Sequence, residues 1–206
     1  MSQPADGARR DRRESVLRAA VELGRRAGLG SVEAGQVALQ AGVSKALVYY
    51  YFPTHRDLQA AVVRCSADEL LATIRGAVVL PAGDDPGGQL TRGLDAAISF
   101  IEEQPEAFAA LSRSAGFHPK LFEVFEDTRN AIADLLAEGI GLTEVTPGQR
   151  IALRAWIALA EEAVLHWVLA ARPVPRADLV AFCQGIALEM LASPLARGAT
   201  ASRRTP

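Results

Sequence analysis

The sequence has few of the residues from which disulfide frameworks, metal centres and export signals are built. Its two cysteines, Cys65 and Cys183, lie far apart and belong to no paired or metal-ligand spacing, so neither a disulfide nor a zinc site is expected. Residues 1–13 are polar and lack the apolar run of a signal peptide. We therefore expect a cytoplasmic protein in a reducing compartment.

No hydrophobic run is both long enough and uncharged enough to cross a membrane. Residues 151–171 are strongly apolar, but four polar side chains interrupt them, and charges at such depths are costly in a bilayer. These side chains are Arg154, Glu161, Glu162 and His166. The pattern predicts a buried helix and no membrane partner.

Motifs for catalysis are also missing. The histidines His55, His118 and His166 form no Glu-x-x-His pair of a di-iron centre. No serine lies in a nucleophile-elbow context, and no glycine loop has the spacing of a phosphate cradle. We therefore expect no catalytic site, no metal and no cofactor, and we keep a helical-bundle enzyme as a remote alternative.

The composition that is present suits a folded helical protein. Half of the 206 residues are apolar and 22% are charged, so the chain can bury a core without a metal or a disulfide. Alternating runs rich in β-branched residues do not occur, whereas apolar residues recur at helical intervals. We predict an all-α fold.

Charge is distributed unevenly. Residues 1–56 contain nine basic and five acidic side chains, so a whole-chain net charge of -2 leaves an excess of acidic groups on the remainder. A locally positive surface is where a polyanion binds. Candidate contacts with such a partner are therefore sought in the N-terminal quarter.

Capping residues, glycines and prolines predict the helix boundaries. A first helix ends at Gly28, a suitable C-cap, and Ser31 and Ser44 can cap the second and third. A fourth helix starts after Pro53, with Thr54 as its cap. The segment 81–88 is predicted to be a flexible loop. The predicted helices cover residues 11–27, 31–40, a short stretch from 44, 54–79, 89–103, 106–113, 119–140, 147–171 and 176–191.

The most informative segment, residues 37–58, reads VALQAGVSKALVYYYFPTHRDL. Two short helices joined by a glycine-containing turn make a helix-turn-helix, whose second helix can enter the major groove of DNA. Ser44, Val48 and Phe52 recur every four residues and so share one face of that helix. We predict that Val48 and Phe52 pack against Val37 and Ala38.

The opposite face of the same helix can meet DNA. Lys45 can bind a phosphate or a guanine edge, and the small Ala46 lets the helix sit close to the groove floor. Three consecutive tyrosines cannot all point inward on a helix, and the start of the fourth helix offers backbone amides to a phosphate. The candidate DNA-binding residues are Ser44, Lys45, Ala46, Tyr49, Tyr50, Thr54 and His55.

Residues 11–62 resemble the opening of the tetracycline-repressor (TetR) family. The resemblance rests on the glycine turn followed by Val43, Ser44 and Lys45, then Val48, Tyr49, Phe52, Pro53 and Leu58, and on a first helix that leads through Gly28 into Leu29. Three positions depart from the family pattern: His55 replaces a lysine that binds phosphate, Ala46 a glycine and Gly24 an aromatic residue. Arg56 is a possible substitute for the lysine contact.

The resemblance implies a two-domain protein that binds a palindromic DNA operator as a homodimer. A flexible basic arm (1–10) would precede a three-helix helix-turn-helix domain (11–62). A helical ligand-sensing and dimerisation domain (63–193) and a frayed tail (194–206) would follow. The dimer would form through roughly 147–171 and 176–191, the latter carrying a stripe that can be seam or core. The stripe consists of Leu179, Phe182, Cys183, Ile186, Met190 and Leu191.

A small-molecule effector of unknown identity is expected to bind among the middle helices. Glu161, Glu162 and His166 lie on an apolar helix, where carboxylates must be exposed, paired or used. They could contact the ligand, form a Glu162–His166 pair, or bridge subunits through Arg150 or Arg154. The candidate pocket residues are Phe108, Phe117, Phe122, Phe125, Trp156, Glu162 and His166.

These observations predict a ligand-released transcriptional repressor that is associated with the nucleoid when bound to DNA. An activator, or a helix-turn-helix protein that responds to a protein partner without a small-molecule ligand, is the alternative, and the sequence does not separate the two.

Overall fold

The protein is described by a computed structural model, which covers residues 3–78, 86–103, 105, 108, 119–142 and 144–197, with side chains from Gly7 onward except at Pro86. Within these ranges the chain is helical and contains no strand, so the predicted all-α fold is confirmed. None of the described helices is long and apolar enough to cross a membrane. The helices are α1 (Gln3–Ala27), α2 (Ala34–Ala41), α3 (Lys45–Tyr51), α4 (His55–Val78), α5 (Pro86–Glu103), α6 (Pro119–Gly139), α7 (Pro147–Leu169) and α8 (Arg176–Ala192).

Helix α1 begins eight residues earlier than predicted. Residues 3–10 were expected to form a flexible arm, but they are the first turns of the helix. Pro4 is tolerated there because the first turn of a helix needs no N–H donor. The alanines and arginines that follow are good helix formers. The prediction of a flexible arm is therefore wrong for residues 3–10.

The end of α1 and the start of α2 show one correct and one wrong capping prediction. Gly28, with φ +79°, ends α1, and its N–H donates to the Gly24 carbonyl at 3.0 Å. Ser31 does not cap α2, because its hydroxyl donates to the carbonyls of Leu23 (3.2 Å) and Gly28 (2.7 Å). A short 3₁₀ helix (Leu29–Ser31) occupies that place, and α2 starts at Ala34.

The chain divides into two compact units, residues 1–69 with 106–126 and residues 70–105 with 127–206. These units reflect which residues pack together. The predicted domain limits at residues 62 and 193 instead separate DNA binding, ligand sensing and the tail, so those limits stay predictions. In the first unit α1, α2, α3 and the start of α4 enclose one apolar core. Its most buried members include Val16, Val32, Val37, Val48 and Leu58.

In the second unit α5, α7 and α8 pack together. Helix α7 starts with a capping box, in which the Thr146 hydroxyl accepts from the Gln149 N–H (3.2 Å) and the Gln149 side chain accepts from the Thr146 N–H (2.9 Å). The indole N–H of Trp156 on α7 donates to the Cys183 carbonyl on α8 at 2.8 Å. This bond fixes the two helices side by side.

Three further predictions concern the connecting and terminal segments. Residues 81–85 of the predicted loop lie outside the described part of the chain, and its last three residues are the start of α5. Most of the predicted helix 106–113 also lies outside it. The tail is not frayed at 194–197, where the chain turns and Ala196 is buried, and the rest of the predicted tail is not described.

Candidate nucleic-acid interface

A tight turn at Gly42 joins α2 to α3. Gly42 has φ +65°, a left-handed conformation that glycine adopts without strain. The N–H of Val43 donates to the Ala38 carbonyl at 3.0 Å, and the N–H of Gly42 donates to Leu39 at 3.3 Å. This arrangement satisfies the last carbonyls of α2 and turns the chain directly into α3.

Helix α3 is anchored by its inner face. Val48 is fully buried and Phe52, its C-cap residue, is almost so, and both belong to the core that contains Val37 and Ala38. The predicted packing is therefore confirmed. Ser44 caps the helix, as predicted, since its hydroxyl accepts from the Leu47 N–H at 3.2 Å. The orientation of α3 is thus set by its core contacts and its cap.

The outer face of α3 is open to solvent. Tyr49 and Tyr50 expose 41% and 59% of their surface, and Ser44, Lys45 and Ala46 are exposed too. The Lys45 ammonium lies 5.8 Å from the centre of the Tyr49 ring. Lys45, Ala46, Tyr49 and Tyr50 thus share the outward side of α3, although their contacts with DNA stay predictions.

The start of α4 is less available than predicted. The Thr54 N–H and hydroxyl both donate to Asp57 Oδ2, at 3.0 and 2.7 Å, and the Asp57 N–H donates to the Thr54 hydroxyl at 3.1 Å. These bonds cap the helix but occupy the groups of Thr54 that were assigned to a phosphate. His55 and Arg56 are exposed beside them and are the better candidates at this position.

Asp57 also binds the side chain of Lys120 at the start of α6. This hydrogen bond, and next the one from Thr54, hold the pKa of Asp57 below its usual range. The carboxylate therefore stays charged at neutral pH and stabilises the N-terminus of α4. Sequence spacing gave no sign of this contact, because its partners are far apart in the chain.

Two arginines of α1 form contacts that the sequence analysis missed. The guanidinium carbon of Arg9 lies 5.2 Å from the centre of the Tyr50 ring, and that of Arg13 lies 5.1 Å from the Phe52 ring. Both distances suit a cation–π contact. The signal was present in the four arginines of residues 9–13, but Arg9 was placed in a flexible arm and Arg13 was given no contact.

Gly24, where the family pattern has an aromatic residue, is a point of close approach. A Cβ atom here would lie 3.3 Å from methyl groups of both Val32 and Val62. This core therefore has no room for a ring at that position.

The second unit contains a small apolar cavity of about 30 Å³ that is partly open to solvent. Trp156, one of the predicted wall residues, lines it. The other predicted aromatic wall residues that the structure describes lie elsewhere: Phe125 is buried in a smaller, separate apolar cluster of the first unit, Phe122 is exposed, and Phe108 is half-buried and outside the cavity lining. Phe117 is not described. The lining residues are Leu90, Leu136, Ile140, Ala152, Leu153, Trp156, Ala187, Met190 and Leu191.

The polar side chains of α7 have separate roles. Arg129 on α6 donates from Nε and Nη2 to Glu161 Oε2, at 2.9 and 2.6 Å. Glu162 and His166 are exposed, outside the cavity lining, and no hydrogen bond joins them in the described chain. Arg150, considered as a partner for Glu161 across subunits, binds Asp134 within its own unit at 2.6 Å. The expected pocket role of Glu162 and His166 is therefore not supported at this cavity.

Two family models match the chain. The model of bacterial regulatory proteins of the tetR family covers residues 16–62, and a tetracyclin repressor-like C-terminal domain covers residues 86–184. The HTH-type transcriptional activator FasR of Mycolicibacterium smegmatis is 25% identical over 190 residues, which are 86% of this chain and 85% of that protein.

Solved structures show the same fold. A tetR-family transcriptional regulator from Streptomyces coelicolor superposes with a TM-score of 0.74 and 26% identity, over 89% of this chain and 81% of that one. The multidrug binding protein EbrR, complexed with proflavin, superposes with a TM-score of 0.66 and 21% identity, over 87% and 99%. The similarity thus extends well beyond the helix-turn-helix.

Proposed function

Because this chain belongs to the TetR family of DNA-binding transcription regulators and is not an enzyme, we propose that it is an effector-controlled repressor. In this proposal a homodimer binds a palindromic operator, and a small apolar molecule releases it. The observation that carries the proposal is the two-sided character of α3. Val48, on its inner face, is buried in the core, whereas Lys45, Tyr49 and Tyr50 are exposed on the other side.

The outer face of α3 suits the major groove. Tyrosine hydroxyls and the lysine ammonium can donate to base edges and phosphates, and Ala46 leaves room for close approach. In a dimer, two such helices lie roughly 34–36 Å apart, which matches successive major grooves on one side of the duplex. The operator would then be a palindrome with one half-site for each subunit. Binding to chromosomal DNA would place the protein in the cytoplasm, at the nucleoid.

Exposed apolar residues on α7 and α8 support the homodimer. The stripe predicted on α8 is partly core, since Leu179 and Cys183 are buried, but Phe182 and Leu188 each expose more than half of their surface. Large exposed apolar groups beside small residues suit close helix packing with a second copy. The exposed residues proposed for the interface are Ile151, Ala155, Ala158, Phe182, Gly185 and Leu188.

The lining of the cavity in the second unit supports an apolar effector, which would have to enlarge the cavity, since its volume of about 30 Å³ is far below that of a usual ligand pocket. Its lining side chains are apolar, and the one polar group among them, the Trp156 N–H, already donates to the Cys183 carbonyl. A polar group placed there would find no partner among the lining residues, which is costly. The fold itself can hold a small molecule, since it binds proflavin in EbrR.

Release would follow from a shift between two conformations. Helix α4 runs without a break from His55, next to α3, to Val78 in the second unit. An effector that binds better to a conformation with the two α3 helices wrongly spaced shifts the dimer away from DNA. The required difference in affinity is about 1–3 kcal/mol for a typical effector.

An activator is the second candidate function, because the curated relative FasR is a transcriptional activator. The DNA-binding surface would be the same in both cases. In vitro transcription from a promoter that contains the operator separates them, since a repressor lowers and an activator raises the amount of transcript.

The proposal is tested first by selecting bound sequences from a random DNA pool. We expect a palindrome whose half-sites are centred about one helical turn apart. Thermal shift against a panel of apolar compounds then tests for the effector, because a ligand of the native state raises the midpoint. Selection that returns no common sequence would contradict operator binding, and a panel without effect would favour control by a protein partner.

A further inference from the structure

The first turns of α1 form a basic surface next to α3. Residues 7–13 contain four arginines, Arg9, Arg10, Arg12 and Arg13, and one acidic residue, Asp11. All of these side chains are exposed. Arg9 lies against Tyr50, a candidate DNA-binding residue, and Arg13 lies against Phe52. Basic groups are therefore continuous from α1 to the outer face of α3.

The helical period explains this placement. Val16 and Ala20 are fully buried against the rest of the core. Arg9 and Arg13 continue the same stripe toward the N-terminus, at intervals of four and three residues. The stripe therefore extends beyond the core, where Arg13 contacts Phe52 and Arg9 contacts the exposed Tyr50. Asp11 is two residues from both arginines and so lies on another side of the helix.

We propose that this helical extension is a second DNA-contacting surface, whose arginines bind backbone phosphates beside the bases that α3 reads. The proposal rests on the proposed operator binding by α3. A guanidinium offers a planar fork of N–H donors that fits two phosphate oxygens. A guanidinium on a ring face keeps those donors at its edge, where they can still bind phosphate.

The helical state of the extension matters for its energetics. A flexible arm must lose backbone entropy of about 1–2 kcal/mol for each residue that becomes ordered on DNA. Residues 3–10 are already helical, so binding to DNA mainly restricts the side chains of the arginines and costs little backbone entropy. The arginines therefore add affinity at low cost, and most of this affinity is independent of sequence.

The test measures the salt dependence of DNA binding by fluorescence anisotropy, with the selected operator duplex and with an unrelated duplex. The test variant is Arg9→Gln/Arg10→Gln/Arg12→Gln/Arg13→Gln in the full chain. The control is Arg18→Gln, an exposed arginine nine residues after Arg9 and so on the opposite side of α1. A second variant, Arg10→Gln/Arg12→Gln, leaves both ring contacts intact and guards against loss of folding.

Each lost phosphate contact lowers the slope of log affinity against log salt by about 0.9. We expect the slope to fall by about 2 or more for the quadruple variant in a dimer, by a smaller amount for the double variant, and not at all for Arg18→Gln. The loss should be similar on both duplexes. If both test variants keep the salt slope of the wild type, the inference is overturned, but the proposed operator binding is not. A wild-type protein that binds neither duplex would overturn the proposed function itself.

Discussion

Arg129 of α6 holds the carboxylate of Glu161 on α7 with two N–H groups, Nε at 2.9 Å and Nη2 at 2.6 Å, that donate to the same oxygen. Both side chains are about three-quarters buried. A charged pair that is largely shielded from water stabilises a fold only while both partners are charged, since neutralising one removes the compensation for burying the other. This contact assigns Glu161 to the packing of α6 on α7.

Glu161→Gln should therefore destabilise the second unit, by roughly 1–3 kcal/mol. Both tryptophans of the chain, Trp156 and Trp167, lie on α7, so their fluorescence during urea unfolding reports on this unit. Asp134→Asn is the matched control, because it breaks the more exposed Arg150–Asp134 pair between the same two helices. Asp134→Asn should cost less stability, because surface pairs contribute about 0–1 kcal/mol. Equal losses in the two variants would contradict the assignment of Glu161 to helix packing.

The Asp57 cap predicts a pH-dependent stability. Its pKa is lowered in the folded protein, chiefly by Lys120, so the folded state favours the carboxylate more than the unfolded state does. The resulting stabilisation is fully present above the unfolded pKa of about 3.9 and is lost as pH falls below it. Asp57→Asn should cost about 1 kcal/mol at pH 7, and this difference should shrink below about pH 4.

Circular dichroism during urea unfolding at pH 7 and at pH 3.5 measures that difference. Asp11→Asn, at an exposed position on α1, is the control and should behave like the wild type at both pH values. If Asp57→Asn costs the same stability at both pH values, the bond to Lys120 does not act as described.

The two cysteines should differ in reactivity. Cys183 is fully buried, and burial raises the pKa of its thiol. Cys65 is half-buried, and its pKa is raised first by burial and then by Asp68 and Glu69. Because the thiolate is the reactive form, we expect slow alkylation at pH 7 in the native protein, with Cys65 modified before Cys183. Mass spectrometry follows both sites, and Cys183 reacting first would show that α8 is not packed as described.

The dimer surface is tested by Leu188→Glu. Placing a carboxylate from each subunit in an apolar interface costs several kcal/mol, so dissociation should become easier by roughly 100-fold or more. Sedimentation velocity over a concentration series measures this change. Leu39→Glu is the control. Leu39 on α2 is also exposed, but it belongs to the first unit, whereas Leu188 belongs to the second. An unchanged dimer in Leu188→Glu would move the interface elsewhere.

Local sequence patterns were enough to predict the helix-turn-helix. The cap at Ser44, the turn at Gly42 and the burial of Val48 all depend on neighbours within a few residues, and each was confirmed. The outward exposure of Tyr49 and Tyr50 follows from the same helical period. This part of the site could be predicted because the chain itself sets its geometry.

Contacts between distant residues could not be predicted. Asp57 and Lys120, or Arg129 and Glu161, are brought together by helix packing that no spacing encodes. For the same reason Phe125 was assigned to a pocket although it is buried in a small apolar cluster of the first unit, because an aromatic residue suits any apolar interior. The predicted arm was wrong at residues 3–10 for another reason, since its charge was weighed above its helical propensity.

The most direct test of the central claim is the operator affinity of Lys45→Ala/Tyr49→Ala, measured by fluorescence anisotropy beside its thermal unfolding. Both residues are exposed, so the midpoint should stay close to that of the wild type. Loss of two base or phosphate contacts in each subunit should weaken binding by at least roughly 100-fold. An affinity equal to that of the wild type would show that α3 does not read the operator.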